Sequence, residues 1–334
     1  MKRRGGRGLL GAALVLLPLV CIVGSLFIGL YDLSAGDVLT ILFRPDLAPA
    51  AQVSVVWQLR LPRTLAAAMV GGALSVSGAA YQGVFRNPLV DAGMLGVSNG
   101  AGFGAALAIV ALGGGAAIYP CAFLFAIGAV LLSVLAGRIA GSATNLTLIL
   151  GGVIISAFFS AFTSILKYIA DPYSQLPAIT FWFMGSFADV HYRHFIAFLP
   201  MGLGMLLVLL CRWQINVLSM GDREAAALGV DLGRYKLLLV GGATLATASA
   251  VCISGVISWV GLVVPHICRM LFGNDNRRLI AASLSLGASF LVVMDVLART
   301  LSTAEIPVGI LTALVGTPFF IFLLKRTRGG GWSE

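Results

Sequence analysis

Long apolar segments are the feature that most constrains this chain. Each is roughly 20 residues long, the length that an α-helix needs to cross a lipid bilayer. Hydrophobic residues make up 59% of the 334 positions and charged residues only 10%, whereas a soluble domain carries about 25% charged residues. The sequence therefore predicts an all-α polytopic membrane protein and excludes a soluble enzyme, a disordered tail and a disulfide-stapled secreted module. The ten predicted transmembrane helices lie at about 9–30, 64–84, 94–112, 118–137, 146–166, 195–211, 237–255, 257–272, 279–298 and 308–324.

Two segments allow another interpretation. The first run follows a basic start, as a signal peptide does, but its apolar stretch of about 22 residues exceeds the usual 7–15 of a signal core. We therefore predict a first transmembrane helix with its N-terminus inside. The apolar piece Ala178–Phe187 is too short to cross alone and predicts a short re-entrant or interfacial helix.

The charges indicate an orientation, because cytoplasmic loops of membrane proteins are enriched in Lys and Arg. With both termini inside, 16 of the 22 basic residues fall on the inner side and 6 on the outer side. This split supports ten spans with N-in and C-in topology. The net charge of +9 is thereby attributed to orientation and not to nucleic-acid binding. The six outer residues are Arg44, Arg60, Arg63, Lys167, Arg193 and Arg299.

Several chemistries have no signature in the sequence. No lysine follows a glycine, so the chain has no phosphate-binding P-loop, and any ATP that drives transport must be hydrolysed by another subunit. The three histidines form no metal-ligand spacing, and the five cysteines form no CxxC pair. An ion-coupled transporter usually places charged groups at mid-membrane. Asp295 is the clearest carboxylate near a span, and a helix-packing role fits it better than an ion relay.

One long inner segment, 212–236, contains a short helix-forming stretch. Asp222 can begin this helix and Gly229 can end it. The spacing of Gly221, Ala225 and Gly229 places small residues on one helical face, which would suit docking into a groove of a cytoplasmic partner. A plain connector with a surface helix is the alternative.

This segment resembles the coupling helix of ABC importer permeases. Four further segments resemble the FecCD-type permeases for iron-siderophore, haem and vitamin B12 uptake, and together they cover essentially the whole chain in order. They are Arg60–Arg63; Ser77–Gln82 with Arg86–Leu89 and Leu95–Gly102; Gly261–Arg269; and Glu305–Ile310 with Gly316–Phe320.

The resemblance implies a single transmembrane permease domain over 1–334, without catalytic residues, bound metal or cofactor of its own. It implies a prokaryotic plasma (inner) membrane location and a homodimer that encloses a central path. It also implies two cytoplasmic ATP-binding subunits, which bind ATP and Mg²⁺, and a periplasmic or lipid-anchored substrate-binding protein. The expected cargo is a metal chelate or corrinoid, iron-siderophore first and haem or vitamin B12 next. An oxyanion importer, for example of molybdate, an ion-coupled secondary transporter and a non-transporting scaffold remain alternatives.

The resemblance also implies roles for individual residues. We expect coupling to the ATPase at Gly221, Asp222, Arg223, Glu224, Ala225, Leu228 and Gly229. We expect docking of the binding protein at Arg60, Arg63 and Arg299, and a cytoplasmic gate at Asn87, Leu89, Thr144 and Asn145. We expect the translocation path and its outer gate at Ser164, Tyr168, Gln175, Leu176 and Phe181. Anchoring arginines, capping residues and a plain outer loop are the structural alternatives for these three groups.

Overall fold

The computed structural model describes residues 3–139 and 145–327, and helices account for most of them. A π-helical segment, Val55–Arg60, joins α3 to α4, and short 3₁₀ turns precede α5, α6 and α9. The helices are α1 Arg3–Leu26, α2 Ala35–Phe43, α3 Ala50–Ser54, α4 Leu61–Phe85, α5 Val97–Ala111, α6 Ile118–Ile139, α7 Asn145–Ile169, α8 Gln175–Met184, α9 Phe198–Leu210, α10 Arg212–Met220, α11 Asp222–Ala227, α12 Leu232–Ser254, α13 Val260–Phe272, α14 Asn276–Thr300 and α15 Val308–Thr327.

The helices coincide with the apolar runs of the sequence. Six helical stretches in the described residues are long and apolar enough to cross a membrane, and four shorter apolar helices fill the remaining predicted positions. The fold is therefore that of an all-helical polytopic membrane protein. That all ten helices cross the bilayer, and in which direction, stays a prediction.

Three of the long helices form the centre of the bundle. The apolar stretch that ends in α4 is 83% buried, and those of α12 and α14 are 78% and 61% buried. By contrast, the stretches in α6, α7 and α9 are only 22–28% buried within one chain. The outer helices thus leave wide apolar faces for lipid or for another protein chain.

Glycines allow the central helices to approach closely, as helix packing in lipid requires. A Cβ built on Gly71 of α4 would overlap the carbonyl oxygen of Gly287 in α14. One built on Gly78 of the same helix would overlap the carbonyl oxygen of Gly261 in α13. Gly71 and Gly78 are therefore sites of close helix packing.

Hydrogen bonds between helices fix the same centre. The Ser77 hydroxyl of α4 donates to the Ala243 carbonyl of α12 at 3.0 Å. One turn further on, the hydroxyls of Tyr81 and Thr244 lie 2.9 Å apart. These bonds satisfy polar groups that would be costly to leave unpaired in an apolar interior.

The segment between α1 and α4 contains helices that the hydropathy did not predict. Ser34 caps α2 by accepting the backbone N–H of Asp37, whose carboxylate accepts the N–H of Ser34 in return. The Ser34 hydroxyl also donates to this carboxylate at 2.6 Å. That bond and the one from the Ser34 N–H lower the pKa of Asp37 because they favour the charged carboxylate. Val38, Ile41 and Val56 form a small separate apolar cluster below.

Candidate functional site

Three arginines lie together beside two carboxylates in what we call the arginine cluster: Arg60, Arg63, Arg299, Asp295 and Glu305. Arg63 and Arg299 contact the carboxylates directly. The Arg63 guanidinium contacts both acids, with Nε 2.8 Å from Asp295 Oδ1 and Nη1 2.8 Å from Glu305 Oε2. Arg299 Nε lies 3.6 Å from the second Asp295 oxygen. With three cations and two anions, the cluster carries one net positive charge. All of its members except Asp295 line a cavity of about 270 Å³.

The arginines also bind backbone carbonyls in the last turn of α1 and just after it. Arg60 donates to the carbonyls of Leu26 and Tyr31 at 2.7 and 2.6 Å, and Arg299 donates to Ser25 at 2.7 Å. The exposed fractions of Arg60, Arg63 and Arg299 are only 4%, 8% and 6%.

The three arginines are therefore engaged mainly within their own chain, and their role in docking a binding protein stays a prediction. In this structure, the guanidinium groups hold the chain's own helices together. Their partners, Asp295 and Glu305, lie more than 230 positions away along the chain from Arg63. Spacing along the sequence gave no indication of that contact, although Asp295 does have the packing role that we expected.

The short helix α11 lies where the coupling helix was expected, between two glycines with positive φ. Gly221 has φ +134° and Gly229 φ +76°, angles that a residue with a Cβ rarely adopts. Ala225, however, is fully buried against its own chain. Gly221 and Ala225 therefore face inward, whereas Gly229 is exposed. The burial of Ala225 corrects the idea that its side chain meets a partner. The face presented to solvent carries Arg223, Glu224 and Leu228.

A set of polar contacts, here named the loop relay, connects α11 to the ends of α4, α7 and α12. Lys236 Nζ of α12 lies 2.8 Å from Asp222 Oδ2 and 3.3 Å from Asn145 Oδ1. The Asn145 amide donates onward to the Val84 carbonyl at 3.2 Å. Arg86 lies on the other side of Asp222, at 3.8 Å. Through Lys236, these contacts join α11 to the first turn of α7.

The residues expected at the cytoplasmic gate take different positions. Asn145 belongs to the loop relay, and Thr144 lies outside the described residues. Asn87 Oδ1 accepts the N–H of Leu89 at 2.9 Å, a turn that follows Arg86 in the left-handed region at φ +55°. The side chain of Leu89 is exposed. Asn87 therefore has the turn role that was its structural alternative, and its turn directly follows the helix whose Val84 binds Asn145.

Residues expected along the path divide into two groups. Ser164, Tyr168 and Phe181 are exposed, Tyr168 by 90%. The side chains of Gln175 and Leu176, by contrast, contact other parts of the same chain. The Gln175 side chain donates to the Val110 carbonyl at 3.4 Å and accepts from the N–H of Asp171 at 3.0 Å, while Leu176 packs in the cluster between α5, α7 and α8. These two residues brace the α7–α8 turn.

A cavity of about 630 Å³ separates α8 from α15. The sequence did not indicate Trp259, which lines it and has φ +74°, a conformation that costs energy for a bulky residue. Its indole packs on Gly316, where a Cβ would clash. The cavity wall is largely apolar, and the described residues contain no cluster of three His, Cys, Asp or Glu side chains placed to hold a metal.

Comparison with known proteins identifies this architecture. The model of the FecCD transport family matches residues 16–326. The chain belongs to this family. Its members are transport subunits of ABC importers and not enzymes, and they work with ATP-binding subunits and a substrate-binding protein. The long-range likeness inferred from short motifs is thereby confirmed.

Individual relatives carry different cargoes. The chain is 40% identical over 325 residues, 96% of each chain, to the molybdate import system permease protein MolB of Haemophilus influenzae. It is 40% identical over 283 residues, 82% of each chain, to the vitamin B12 import system permease protein BtuC of Yersinia enterocolitica. It also resembles a transporter described as of the metal-chelate ABC type, solved in an inward-facing conformation. The TM-score of this likeness is 0.86 at 39% identity, with 95% of this chain and 99% of that one covered.

Proposed function

We propose that two copies of this permease enclose a translocation path in a prokaryotic inner membrane, with two ATP-binding subunits on the cytoplasmic side and a substrate-binding protein outside. The missing P-loop requires ATP hydrolysis elsewhere. The exposed face of α11 and the wide apolar faces of α7 and α15 supply surfaces for such partners. The loop relay is the observation that carries the proposal, because it joins the expected ATPase contact to α7.

We further propose that the loop relay couples ATP hydrolysis to the cytoplasmic gate. In this proposal, the ATP-binding subunit contacts Arg223, Glu224 and Leu228 on α11. Displacement of α11 moves Asp222, which pulls on Lys236 and hence on Asn145 at the start of α7. The exposed side chains of Ser164, Tyr168 and Phe181 then line the path between the two copies.

A metal chelate or corrinoid is the cargo that this path suits best. The helical segments α7, α8 and the cavity wall of α15 present mainly apolar and aromatic groups. A bulky chelate with apolar surface can pass such groups without being held by any one of them. Iron-siderophore remains the first expectation within this class, followed by vitamin B12 and haem.

Molybdate is the second candidate, because the molybdate permease relative matches 96% of the chain. An oxyanion has no apolar surface, so a path for molybdate would hold it through its charge. Lys167 is the only cation along α7 in the described residues. Its ammonium lies 4.6 Å from the centre of the Phe183 ring, at the entrance that we expect.

Transport by proteoliposomes tests the proposal. Vesicles are prepared with the permease, its ATP-binding subunit and its binding protein. They should take up a ferric siderophore, cobalamin or molybdate only when ATP is supplied on the side of the membrane that carries the ATP-binding subunit. An ionophore that collapses proton and sodium gradients should leave initial uptake unchanged. Uptake driven by an ion gradient in vesicles with the permease alone would refute the proposal, and uptake of molybdate alone would replace the chelate as cargo.

A further inference from the structure

A cleft of about 280 Å³ lies beside the loop relay, between the ends of α6, α7 and α12. It combines an aliphatic wall with two cations, Arg138 and Lys236, and one carboxylate, Asp222. The sum of these charges is one net positive charge. The aliphatic wall consists of Val134, Leu148, Leu232, Leu237 and Val240.

The two cations differ in what they already bind. Lys236 is nearly buried, with 15% of its side chain exposed, and it is shared between Asp222 and Asn145. Arg138, in the last turn of α6, is exposed, and no carboxylate in the described part of the chain pairs with it. Arg138 therefore offers a guanidinium that has no carboxylate partner among the described residues, at the rim of a mainly aliphatic cleft.

The surroundings of the cleft are those of a lipid-facing surface. Leu237 on its wall is 64% exposed. Leu135 and Ile139, on the same turn of α6 as Arg138, are also exposed. Aliphatic side chains next to a cation at a helix end match the boundary between acyl chains and lipid head groups, where basic pockets between transmembrane helices bind anionic lipids.

We propose that this cleft binds an anionic phospholipid. The phosphate lies between Arg138 and Lys236, and an acyl chain covers Leu237. One net positive charge complements the single negative charge of phosphatidylglycerol, whereas zwitterionic phosphatidylcholine offers no net charge. Free phosphate would leave the aliphatic wall uncovered. The placement in the cytoplasmic leaflet rests on the proposed function, while the binding itself does not.

Native mass spectrometry of the full chain tests the site. The delipidated protein in detergent is titrated with dioleoylphosphatidylglycerol or dioleoylphosphatidylcholine. We expect one phosphatidylglycerol to bind at least about tenfold more tightly than phosphatidylcholine, because the choline cation of phosphatidylcholine is repelled by the net positive charge of the cleft. Arg138→Gln should weaken phosphatidylglycerol binding about tenfold. Asp222→Asn should tighten it, because the carboxylate that competes for Lys236 is removed.

Arg234→Gln is the matched control, because Arg234 is exposed near the start of α12 but does not line the cleft. Equal affinity for the two lipids, or equal losses in the Arg138 and Arg234 variants, would overturn the proposal. Displacement of the lipid by millimolar inorganic phosphate alone would reassign the site to a free anion. Unchanged thermal unfolding of Arg138→Gln establishes that the variant folds. Since no ATPase or cargo is present, this result is independent of the transport experiment.

Discussion

At the scale of single residues, Arg63 is the side chain on which the arginine cluster depends, because it alone contacts both Asp295 and Glu305. Replacing Arg63 with Gln would leave the buried Asp295 with only the 3.6 Å contact to Arg299. Breaking a buried ion pair by removing one partner costs about 3–5 kcal/mol. We expect a reduction of about 3 kcal/mol in the free energy of unfolding, seen as a lower thermal midpoint in detergent.

Arg44→Gln is the control for this variant, because Arg44 is exposed and on the same predicted side of the membrane. An unchanged midpoint in Arg63→Gln, equal to that of the control, would show that the cluster does not hold the helices together. It would favour instead the interpretation that Arg63 serves in docking the binding protein.

Asp91, in the loop after α4, carries a charge that the fold disfavours. Burial raises its pKa, although the carboxylate accepts the N–H of Gly93 at 3.0 Å. The folded chain therefore binds the proton more tightly than the unfolded chain, so the ionised group lowers stability above the raised pKa. This cost disappears as the pH falls below the ordinary aspartate pKa of about 3.9.

Asp91→Asn should keep the bond to Gly93 and remove the charge. We expect a thermal midpoint above that of the unmodified chain at neutral pH, because the charge that burial disfavours is removed. The difference should shrink as the pH approaches about 4. A variant midpoint below that of the unmodified chain at neutral pH would mean that Asp91 is stabilising as an anion.

At the scale of helices, glycines determine how closely two helices can pack. Gly71→Ala would force α4 and α14 apart, because the new Cβ overlaps the Gly287 carbonyl oxygen and the Leu291 side chain. Overpacking of this kind costs about 1–3 kcal/mol. Gly241→Ala in α12 is the control, since nothing lies within 4 Å of its Cβ, and it should be neutral or gain up to about 1 kcal/mol of helix propensity. Thermal unfolding of the two variants measures the difference, and equal midpoints would argue against the glycine contact.

The two faces of α11 make separate predictions. Leu228→Asp places a charge on the exposed face, where Leu228 is 59% exposed, and should abolish co-purification of the ATP-binding subunit while the chain keeps its thermal midpoint. Ala225→Leu should instead lower the midpoint of the isolated chain, since Ala225 has no exposed surface. Normal co-purification of Leu228→Asp would exclude α11 as the docking element, and an unaltered midpoint of Ala225→Leu would place that residue at the partner surface after all.

Helix positions were predictable from the sequence, whereas the contacts between helices were not. Runs such as 146–166 and 279–298 predicted α7 and α14 within a few residues, because a membrane span must be long and apolar. The direction in which the Ala225 side chain faces depends on tertiary packing, which the sequence pattern does not show. The short helices α2 and α3 were not predicted because they lie outside the apolar runs. The partners of Arg63 are set by how α4 meets α14, which no local pattern encodes.

At the scale of the whole molecule, charge is concentrated at the ends of the helices. In the described spans, the carboxylate Asp295 is paired with Arg63 and Arg299 and so is not available to bind a coupling ion. The other carboxylate ion pairs among the described residues lie at the arginine cluster and at the loop relay. An ion-coupled mechanism lacks a free mid-membrane carboxylate in this part of the chain. The arrangement agrees with an energy source in a separate subunit.

The exposed apolar faces predict which side of the molecule meets the second copy. Leu314 is 65% exposed on α15 and lines the cavity next to α8, while Val20 is 65% exposed on α1. Lipid adapts to a larger side chain, but a packed helix interface does not. Leu314→Trp should therefore reduce the dimer fraction several-fold in lipid nanodiscs, as counted by single-molecule photobleaching, whereas Val20→Trp should leave it unchanged. Equal dimer fractions would place the interface elsewhere, and loss in Val20→Trp alone would move it to α1.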